Sequence, residues 1–228
     1  MYRKKNLPLL DDIWSVIFDL DGTLVDSMWL WHDIDLEFLG ERGIALPETY
    51  QKDIEGMSFT ETAVYTKDLF RLPESVEELK EIWNRMAIEK YTYEVPFKPG
   101  AEEFLKYCRT KGITVGIATS NSRGLVEAVA GSLHFGDYIQ EIVTACEVEH
   151  GKPAPDVYLE AASRLQARPE HCLVFEDVPM GILAGKNAGM RVCAVEDAFS
   201  AACREEKQEL ADYYISDYFE ILQRLSLC

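Results

Sequence analysis

Two pairs of closely spaced acidic residues offer the clearest chemistry in the sequence. Asp19 and Asp21 stand one residue apart in the segment Phe18–Thr23, and Glu176 and Asp177 are adjacent. Carboxylates this close repel each other unless a divalent cation lies between them, and such hard oxygen ligands suit Mg²⁺. Taken alone, the first pair is also compatible with a solvated turn, because Asp-Gly is a common turn dipeptide.

Two further segments carry groups that are able to bind phosphate. Thr119, Ser120 and Asn121 offer hydroxyl and backbone N–H groups ahead of a predicted helix, which is a natural anion site. Lys152 lies between a glycine and a proline just before another predicted helix. A lysine alone is weak evidence, since most lysines are solvated, but the flanking Gly151 and Pro153 indicate a fixed loop.

The acidic pairs and the threonine segment each follow a short apolar run that predicts a β-strand. The predicted strands are Ser15–Phe18, Ile113–Ala118, Glu141–Thr144, Cys172–Phe175 and Arg191–Val195. Continuously apolar strands separated by helical patterns favour a doubly wound, mostly parallel sheet, a Rossmann-like α/β fold. Ligands of such sheets bind at the carboxyl ends of the strands, where these segments are expected to meet.

Between the first strand and the later ones, a long stretch shows only helical patterns. The predicted helices are Met28–Leu39, one that begins at Ser58 with Glu61 completing a capping box, and Val76–Tyr91. We therefore predict an α/β catalytic core of residues 1–26 and 97–228 with an inserted helical cap of residues 27–96. The stretches 26–27 and 97–99 would be the hinges, and closing the cap would exclude water.

Composition excludes several classes of partner. Lys and Arg total 23 against 40 Asp and Glu, a net charge of −17, so neither nucleic acid nor an anionic membrane is an expected partner. No run approaches the roughly 18 apolar residues of a membrane span. The six cysteines lack paired metal-ligand spacing and are expected to be reduced thiols. We expect a cytoplasmic protein, and a monomer.

The four motifs together resemble those of the haloacid dehalogenase superfamily of phosphotransferases. They occur in the family's order, and the resemblance spans residues 13–195. The helical insertion resembles the mobile cap of the beta-phosphoglucomutase-like branch, and the segments around Lys152 and Glu176 are also similar to that branch.

The resemblance implies a double displacement that needs Mg²⁺. Asp19 would be the nucleophile and form an aspartyl-phosphate, and Asp21 would protonate the leaving alcohol and then deprotonate water. The implied metal ligands are Asp19, the main-chain carbonyl of Asp21, Glu176 and Asp177. The implied phosphate-binding groups are Thr119, the Ser120 backbone N–H and Lys152. A dehalogenase needs no acid for its halide leaving group, so Asp21 favours phosphoryl transfer.

The predicted cap departs from the mutase pattern in two ways. Trp31 stands where mutases of the branch carry a histidine, and His32, one residue on, is turned by about 100° on a helix. The segment Gly56–Phe59 lacks the arginine that grips a second phosphate. Both departures favour a phosphatase acting on a small phosphorylated metabolite, such as a sugar phosphate.

A phosphosugar mutase is the alternative, and a non-catalytic phosphate-binding protein is the alternative from another class. A phosphonatase is disfavoured because no lysine stands in the first cap helix.

Overall fold

The computed structural model describes residues 9–54 and 59–226, which divide into two compact units. The first unit comprises the described residues of Met1–Ser27 and Val95–Cys228, and the second is Met28–Glu94. The second unit is an insertion in the first. The chain leaves the first unit after the first strand and returns to it at Val95.

A six-stranded parallel sheet forms the centre of the first unit. Its strands are β1 (Ser15–Phe18), β2 (Thr114–Thr119), β3 (Glu141–Thr144), β4 (Cys172–Glu176), β5 (Arg191–Val195) and β6 (Tyr213–Ile215). They lie in the order β3-β2-β1-β4-β5-β6, and each neighbouring pair is parallel. This arrangement confirms the predicted doubly wound α/β fold, and the strand order reverses direction around β1.

Helices complete both units. The helices of the second unit are α1 (Leu30–Gly40), α2 (Tyr50–Asp53), α3 (Phe59–Phe70) and α4 (Val76–Tyr93). The longer helices of the first unit are α5 (Ala101–Lys111), α6 (Arg123–Ser132), α7 (Asp156–Arg164), α8 (Pro179–Asn187), α9 (Arg204–Leu210) and α10 (Phe219–Ser226). Among the described residues, no helix is both long enough and apolar enough to cross a membrane.

The two faces of the sheet are buried by different kinds of side chain. Ile17 and Val174 belong to an aliphatic cluster with residues of α7 and α8. The next residues along the strands, Phe18 and Phe175, point to the opposite face, because successive side chains of a strand alternate. There the two rings stack with centroids 5.1 Å apart, and Phe104 of α5 meets Phe175 edge-on at 5.4 Å. Burial on both faces holds the ends of β1 and β4 side by side.

The second unit has a small aromatic core of its own. Trp83 of α4 packs edge-on against Phe38 of α1 with ring centroids 5.7 Å apart, and it lies 5.9 Å from Phe59 of α3. Trp31 in turn packs against Phe59 at 5.6 Å. The apolar stripe of the predicted helices therefore packs in the core of this unit.

Several element bounds differ from those predicted. The first helix begins at Leu30 instead of Met28, and the helix from Val76 ends at Tyr93 instead of Tyr91. The predicted capping box at Ser58, with Gly56 and Met57 of the cap loop, lies outside the described residues. Strand β6 was not predicted from the sequence, because its three residues include two half-buried tyrosines and do not form an apolar run.

Candidate active site

Asp19 immediately follows β1, at the point where the strand order reverses. Its backbone N–H donates to the carbonyl of Phe175 at 3.0 Å, which continues the pairing of β1 with β4 by one residue. The chain then turns sharply at Gly22, whose φ of 74° is in the left-handed region that favours glycine. Asp19 is 8% exposed, so its carboxylate lies in a nearly closed site at the carboxyl edge of the sheet.

Lys152 joins three of the strand ends through its ammonium group. Nζ lies 2.5 Å from Oδ1 of Asp19 and 2.6 Å from Oε1 of Glu176, and it donates to the carbonyl of Ala118 at 3.2 Å. Burial acts to lower the pKa of Lys152, but the carboxylates of Asp19 and Glu176 outweigh it and raise that pKa above its usual range. The lysine is therefore a permanent cation between two acidic side chains.

Glu176 is 0% exposed and both of its carboxylate oxygens accept hydrogen bonds. Oε1 accepts from Lys152 and from the hydroxyl of Tyr158 at 2.8 Å, and Oε2 accepts from the backbone N–H of Asp177 at 3.0 Å. The side chain occupies the space beside Gly181, where an added Cβ would stand 1.7 Å from Oε1. Glu176 is thus fixed in one orientation by its neighbours.

Asp177 differs from Glu176 in having one oxygen without a partner. Oδ1 accepts from the hydroxyl of Thr23 at 2.9 Å, whereas the buried Oδ2 has no hydrogen-bond partner in the described part of the chain. Burial, followed by the nearby carboxylate of Glu176, raises the pKa of Asp177 to about 7. A buried acceptor without a partner is costly, and a bound cation is one way to satisfy it.

These carboxylates fit a divalent metal. Asp19, Glu176 and Asp177 each offer an oxygen, and the three atoms lie within 4.8 Å of one another. Burial raises the pKa of Asp19 well above its usual range, and the carboxylates of Glu176 and Asp177 act in the same direction while Lys152 opposes them. Clustered, buried carboxylate oxygens of this kind are hard ligands that suit Mg²⁺, whose charge would offset their repulsion.

Asp21 is held at the same edge by hydrogen bonds to both carboxylate oxygens. The hydroxyl of Ser27 donates to Oδ1 at 2.6 Å, and the side-chain amide of Asn121 donates to Oδ2 at 3.0 Å. Asn121 follows β2, so the amide links the β1 loop to the segment that was predicted to bind phosphate. These two hydrogen bonds fix the orientation of the Asp21 carboxyl group.

The remaining predicted phosphate-binding residues follow β2. Thr119 ends the strand and is buried, and its hydroxyl oxygen accepts from the backbone N–H of Asn121 at 3.0 Å. Ser120 is the next residue and is exposed, and α6 begins three residues later at Arg123. Both residues lie at the carboxyl edge of the sheet, the edge that carries Asp19.

Two contributors to this site were not singled out from the sequence. Tyr158 lies on the buried, otherwise apolar face of α7, and its hydroxyl donates to Glu176 as described above. Gly181 is the third residue of α8, and the side chain of Glu176 occupies the space that a Cβ at this position would need. A tyrosine within an otherwise apolar stripe is the one signal that pointed to a buried polar partner.

The site and fold match a known family and its members. The model of the haloacid dehalogenase-like hydrolases matches residues 16–195. The chain is 34% identical over 182 residues to the bifunctional riboflavin kinase/FMN phosphatase of Arabidopsis thaliana, covering 79% of this chain and 48% of that protein, or about half its length. It is 28% identical over 215 residues to hexitol phosphatase B of Escherichia coli (strain K12), covering 92% and 94% of the two chains.

A solved structure extends the similarity to the fold. The crystal structure of a putative beta-phosphoglucomutase from Thermotoga maritima matches with a TM-score of 0.80 at 26% identity, covering 94% of this chain and 99% of that one. The chain belongs to the haloacid dehalogenase-like hydrolase family. The prediction of an enzyme, a phosphoric monoester hydrolase, is confirmed by this membership and by the named activity of the two curated relatives.

Proposed function

We propose that the protein is a Mg²⁺-dependent phosphatase that hydrolyses a small phosphomonoester through a phosphoryl group carried on Asp19. One observation carries the proposal. The buried carboxylate of Asp19 lies 2.5 Å from the Lys152 ammonium and shares an acidic cluster with Asp177, which has an unpartnered oxygen. The groups that we propose as nucleophile, as cation for the phosphoryl oxygens and as metal ligand thus lie together at the carboxyl edge of the sheet.

In the first half of the proposed reaction, a carboxylate oxygen of Asp19 attacks phosphorus. The bond from phosphorus to the ester oxygen breaks, and Asp21 gives its proton to that oxygen so that a neutral alcohol leaves. The hydrogen bonds from Ser27 and Asn121 favour this role, because they orient the Asp21 carboxyl group.

In the second half, water attacks the phosphorus of the aspartyl-phosphate. Asp21 accepts a proton from the water, the bond from phosphorus to the Asp19 oxygen breaks, and inorganic phosphate is released. The carboxylate of Asp19 and the proton on Asp21 are both restored, so the enzyme is ready for another cycle. Each displacement is easier than direct hydrolysis, which is the benefit of a covalent intermediate.

Charge neutralisation is the other part of the proposal. Mg²⁺, when bound, neutralises phosphoryl oxygens and orients them for in-line attack. Asp19, the main-chain carbonyl of Asp21 and Asp177 would hold it, with Glu176 beside them. The Lys152 ammonium, the Thr119 hydroxyl and the Ser120 backbone N–H would bind the remaining oxygens.

The names of the relatives support a substrate class. The two curated relatives are named for FMN and hexitol phosphates, so we propose a sugar phosphate or a similar small metabolite as substrate. The helical unit Met28–Glu94 would act as a cap that excludes water.

The proposal is tested by measuring phosphate release from p-nitrophenyl phosphate with Mg²⁺ and then with EDTA. Turnover should require Mg²⁺ and should fall by at least about 10³-fold in Asp19→Asn, because the nucleophile is lost. Asp137→Asn is the matched control, since this exposed aspartate precedes β3 at the opposite edge of the sheet. Turnover that persists in EDTA or in Asp19→Asn would refute the mechanism.

A phosphosugar mutase is the second candidate, because the solved structure from Thermotoga maritima carries that name. The two activities are separated by incubating the enzyme with a hexose 1-phosphate and the corresponding bisphosphate. A phosphatase releases inorganic phosphate faster than it forms the isomeric sugar phosphate. Isomerisation that outpaces phosphate release would establish the mutase instead.

A further inference from the structure

A lysine is buried behind the acidic cluster, where the proposed mechanism has no use for it. Lys207 lies on α9 and is 0% exposed. Its Nζ donates to the hydroxyl of Ser200 at 2.9 Å and to the carbonyl of Val195, the last residue of β5, at 3.2 Å. The nearest carboxylate oxygen in an ion pair, Oε2 of Glu196, is 3.9 Å away. Burying an ammonium group without a close counter-ion is unfavourable, so the burial of Lys207 calls for a structural or functional reason.

The hydroxyl of Ser200 relays the contact of Lys207 to the acidic cluster. Ser200 Oγ donates to the main-chain carbonyl of Asp177 at 2.8 Å. A lysine ammonium has only donors, so Ser200 must accept from Lys207, and its one proton is then committed to the Asp177 carbonyl. The lysine therefore sets the direction of the serine hydroxyl.

The loop that carries Ser200 is itself fixed by a buried ion pair. Oδ2 of Asp197 lies 2.7 Å from Nζ of Lys98, and Oδ1 accepts from the backbone N–H of Phe199 at 2.8 Å. This turn holds Ser200 at the residue that follows β4, Asp177. Asp177 is consequently held twice, by Thr23 at its carboxylate and by Ser200 at its main chain.

The charge of Lys207 acts on the same cluster. Burial lowers the pKa of Lys207, while the carboxylates of Glu196, Asp177 and Asp197 act in the opposite direction. A cation buried on this side attracts the main-chain carbonyl and the carboxylate of Asp177 alike.

We propose that Lys207, acting through Ser200, is a positioning residue that orients Asp177 for Mg²⁺. The inference rests on the proposed metal site, but it assigns a role to two residues outside that site. Groups that orient metal ligands are typically worth about 10- to 100-fold in metal affinity. Removing either residue should weaken Mg²⁺ binding more than it affects the chemistry at saturating Mg²⁺.

The test measures the Mg²⁺ dissociation constant of the whole protein by isothermal titration calorimetry, without substrate. Ser200→Ala and Lys207→Met should each raise the dissociation constant by about 10-fold. Phosphatase activity of Ser200→Ala should recover towards that of the wild type as Mg²⁺ is increased. Ser163→Ala and Lys106→Met, at exposed positions, are the matched controls and should bind Mg²⁺ as the wild type does.

The outcomes separate this inference from the proposed function. If Ser200→Ala binds Mg²⁺ with the wild-type constant, the positioning role is refuted while the phosphatase proposal stands. A purely structural role would lower the free energy of unfolding and leave the dissociation constant of the folded protein unchanged. If Lys207→Met does not fold, Ser200→Ala decides alone, since it removes a single oxygen. A wild-type protein that binds no Mg²⁺ would refute both proposals.

Discussion

Glu176 fills the space in which any side chain at position 181 would lie. We therefore predict that Gly181→Ala displaces the Glu176 carboxylate, because the new Cβ would stand 1.7 Å from Oε1. Displacing Glu176 also removes a partner of Lys152, so phosphatase kcat/KM should fall at least about 10-fold. Overpacking of this kind should lower the free energy of unfolding by about 1–3 kcal/mol, measured by urea denaturation.

Gly131→Ala is the matched control for that substitution. Gly131 also lies in a helix, and nothing stands within 4 Å of an added Cβ there. Alanine should leave activity unchanged and stabilise the protein by up to about 1 kcal/mol, because it lowers the entropy of the unfolded chain. Equal behaviour of the two variants would contradict the assigned role of Glu176.

At the scale of residues, the sequence indicated which side chains belong to the candidate site but not which side chains they contact. Asp19, Glu176 and Asp177 were expected at one edge of the sheet, and the structure brings them into one cluster that Lys152 joins. Their catalytic and metal-binding roles stay predictions. The link from Lys207 through Ser200 to Asp177 could not be predicted from the sequence. These residues lie in different segments, which come together only when the sheet has formed.

Capping decides where the longest helix begins. Ser75 accepts from the backbone N–H of Glu78, and the Glu78 carboxylate accepts from the backbone N–H of Ser75 at 2.7 Å. We predict that Ser75→Ala lowers the free energy of unfolding by about 1 kcal/mol, measured by urea denaturation. Thr92→Ala on the same helix is the control, because the Thr92 hydroxyl donates to the carbonyl of Ile88 within the helix and caps neither end. A loss for Thr92→Ala as large as that for Ser75→Ala would contradict the capping argument.

A buried carboxylate makes the helical unit sensitive to pH. Burial raises the pKa of Asp35 to about 6, although a hydrogen bond from Gln51 at 2.9 Å opposes the shift. The folded state then binds a proton more tightly than the unfolded state, whose carboxyl has a pKa near the usual value. The stabilising effect of that proton is present at low pH and is lost as the pH rises through about 6.

Asp35→Asn should remove this dependence, because the amide stays neutral and still accepts from Gln51. The variant should be about 2–3 kcal/mol more stable than the wild type above pH 7, with the difference shrinking towards pH 4. Urea denaturation of both proteins across this range measures it. A difference in unfolding free energy that does not change with pH would show that Asp35 does not titrate as described.

Strand positions were the most predictable elements. Ser15–Phe18, Glu141–Thr144 and Arg191–Val195 have the predicted bounds, because short runs rich in β-branched residues are typical of strands. Helix ends were less predictable. The helix expected at Met28 starts at Leu30, because Ser27, a residue of N-cap type, donates its hydroxyl to Asp21 instead of capping the helix.

Charge is the main property of the whole molecule that composition decides. A net charge of −17 destabilises the compact state by self-repulsion. We predict that raising NaCl from about 0.02 M to about 0.3 M increases the free energy of unfolding, since the screening length shortens to below about 10 Å. Thermal unfolding measures the effect, and KCl should reproduce it. A melting temperature that is insensitive to both salts would contradict this account.

The division into two units was suggested by the absence of strand patterns over a long stretch. The sequence shows a switch from strand periodicity, in the run that ends at Phe18, to helix periodicity, in the segment that contains Trp83. The predicted bounds of the core and the cap, and the role of the cap, stay predictions. The residues of the cap loop around Met57 lie outside the described part of the chain, so the departure of this loop from the mutase pattern stays a prediction from the sequence.

The central claim is that Asp19 carries the phosphoryl group during turnover. It is tested most directly by mixing Asp21→Asn, in which release of phosphate should be slowed, with Mg²⁺ and p-nitrophenyl phosphate and quenching in acid. Peptide mass spectrometry should then find one phosphoryl group on the peptide that contains Asp19, and none when Asp19→Asn is combined with it. A phosphorylated residue elsewhere, or turnover by the wild type with no adduct at any quench time, would contradict the account.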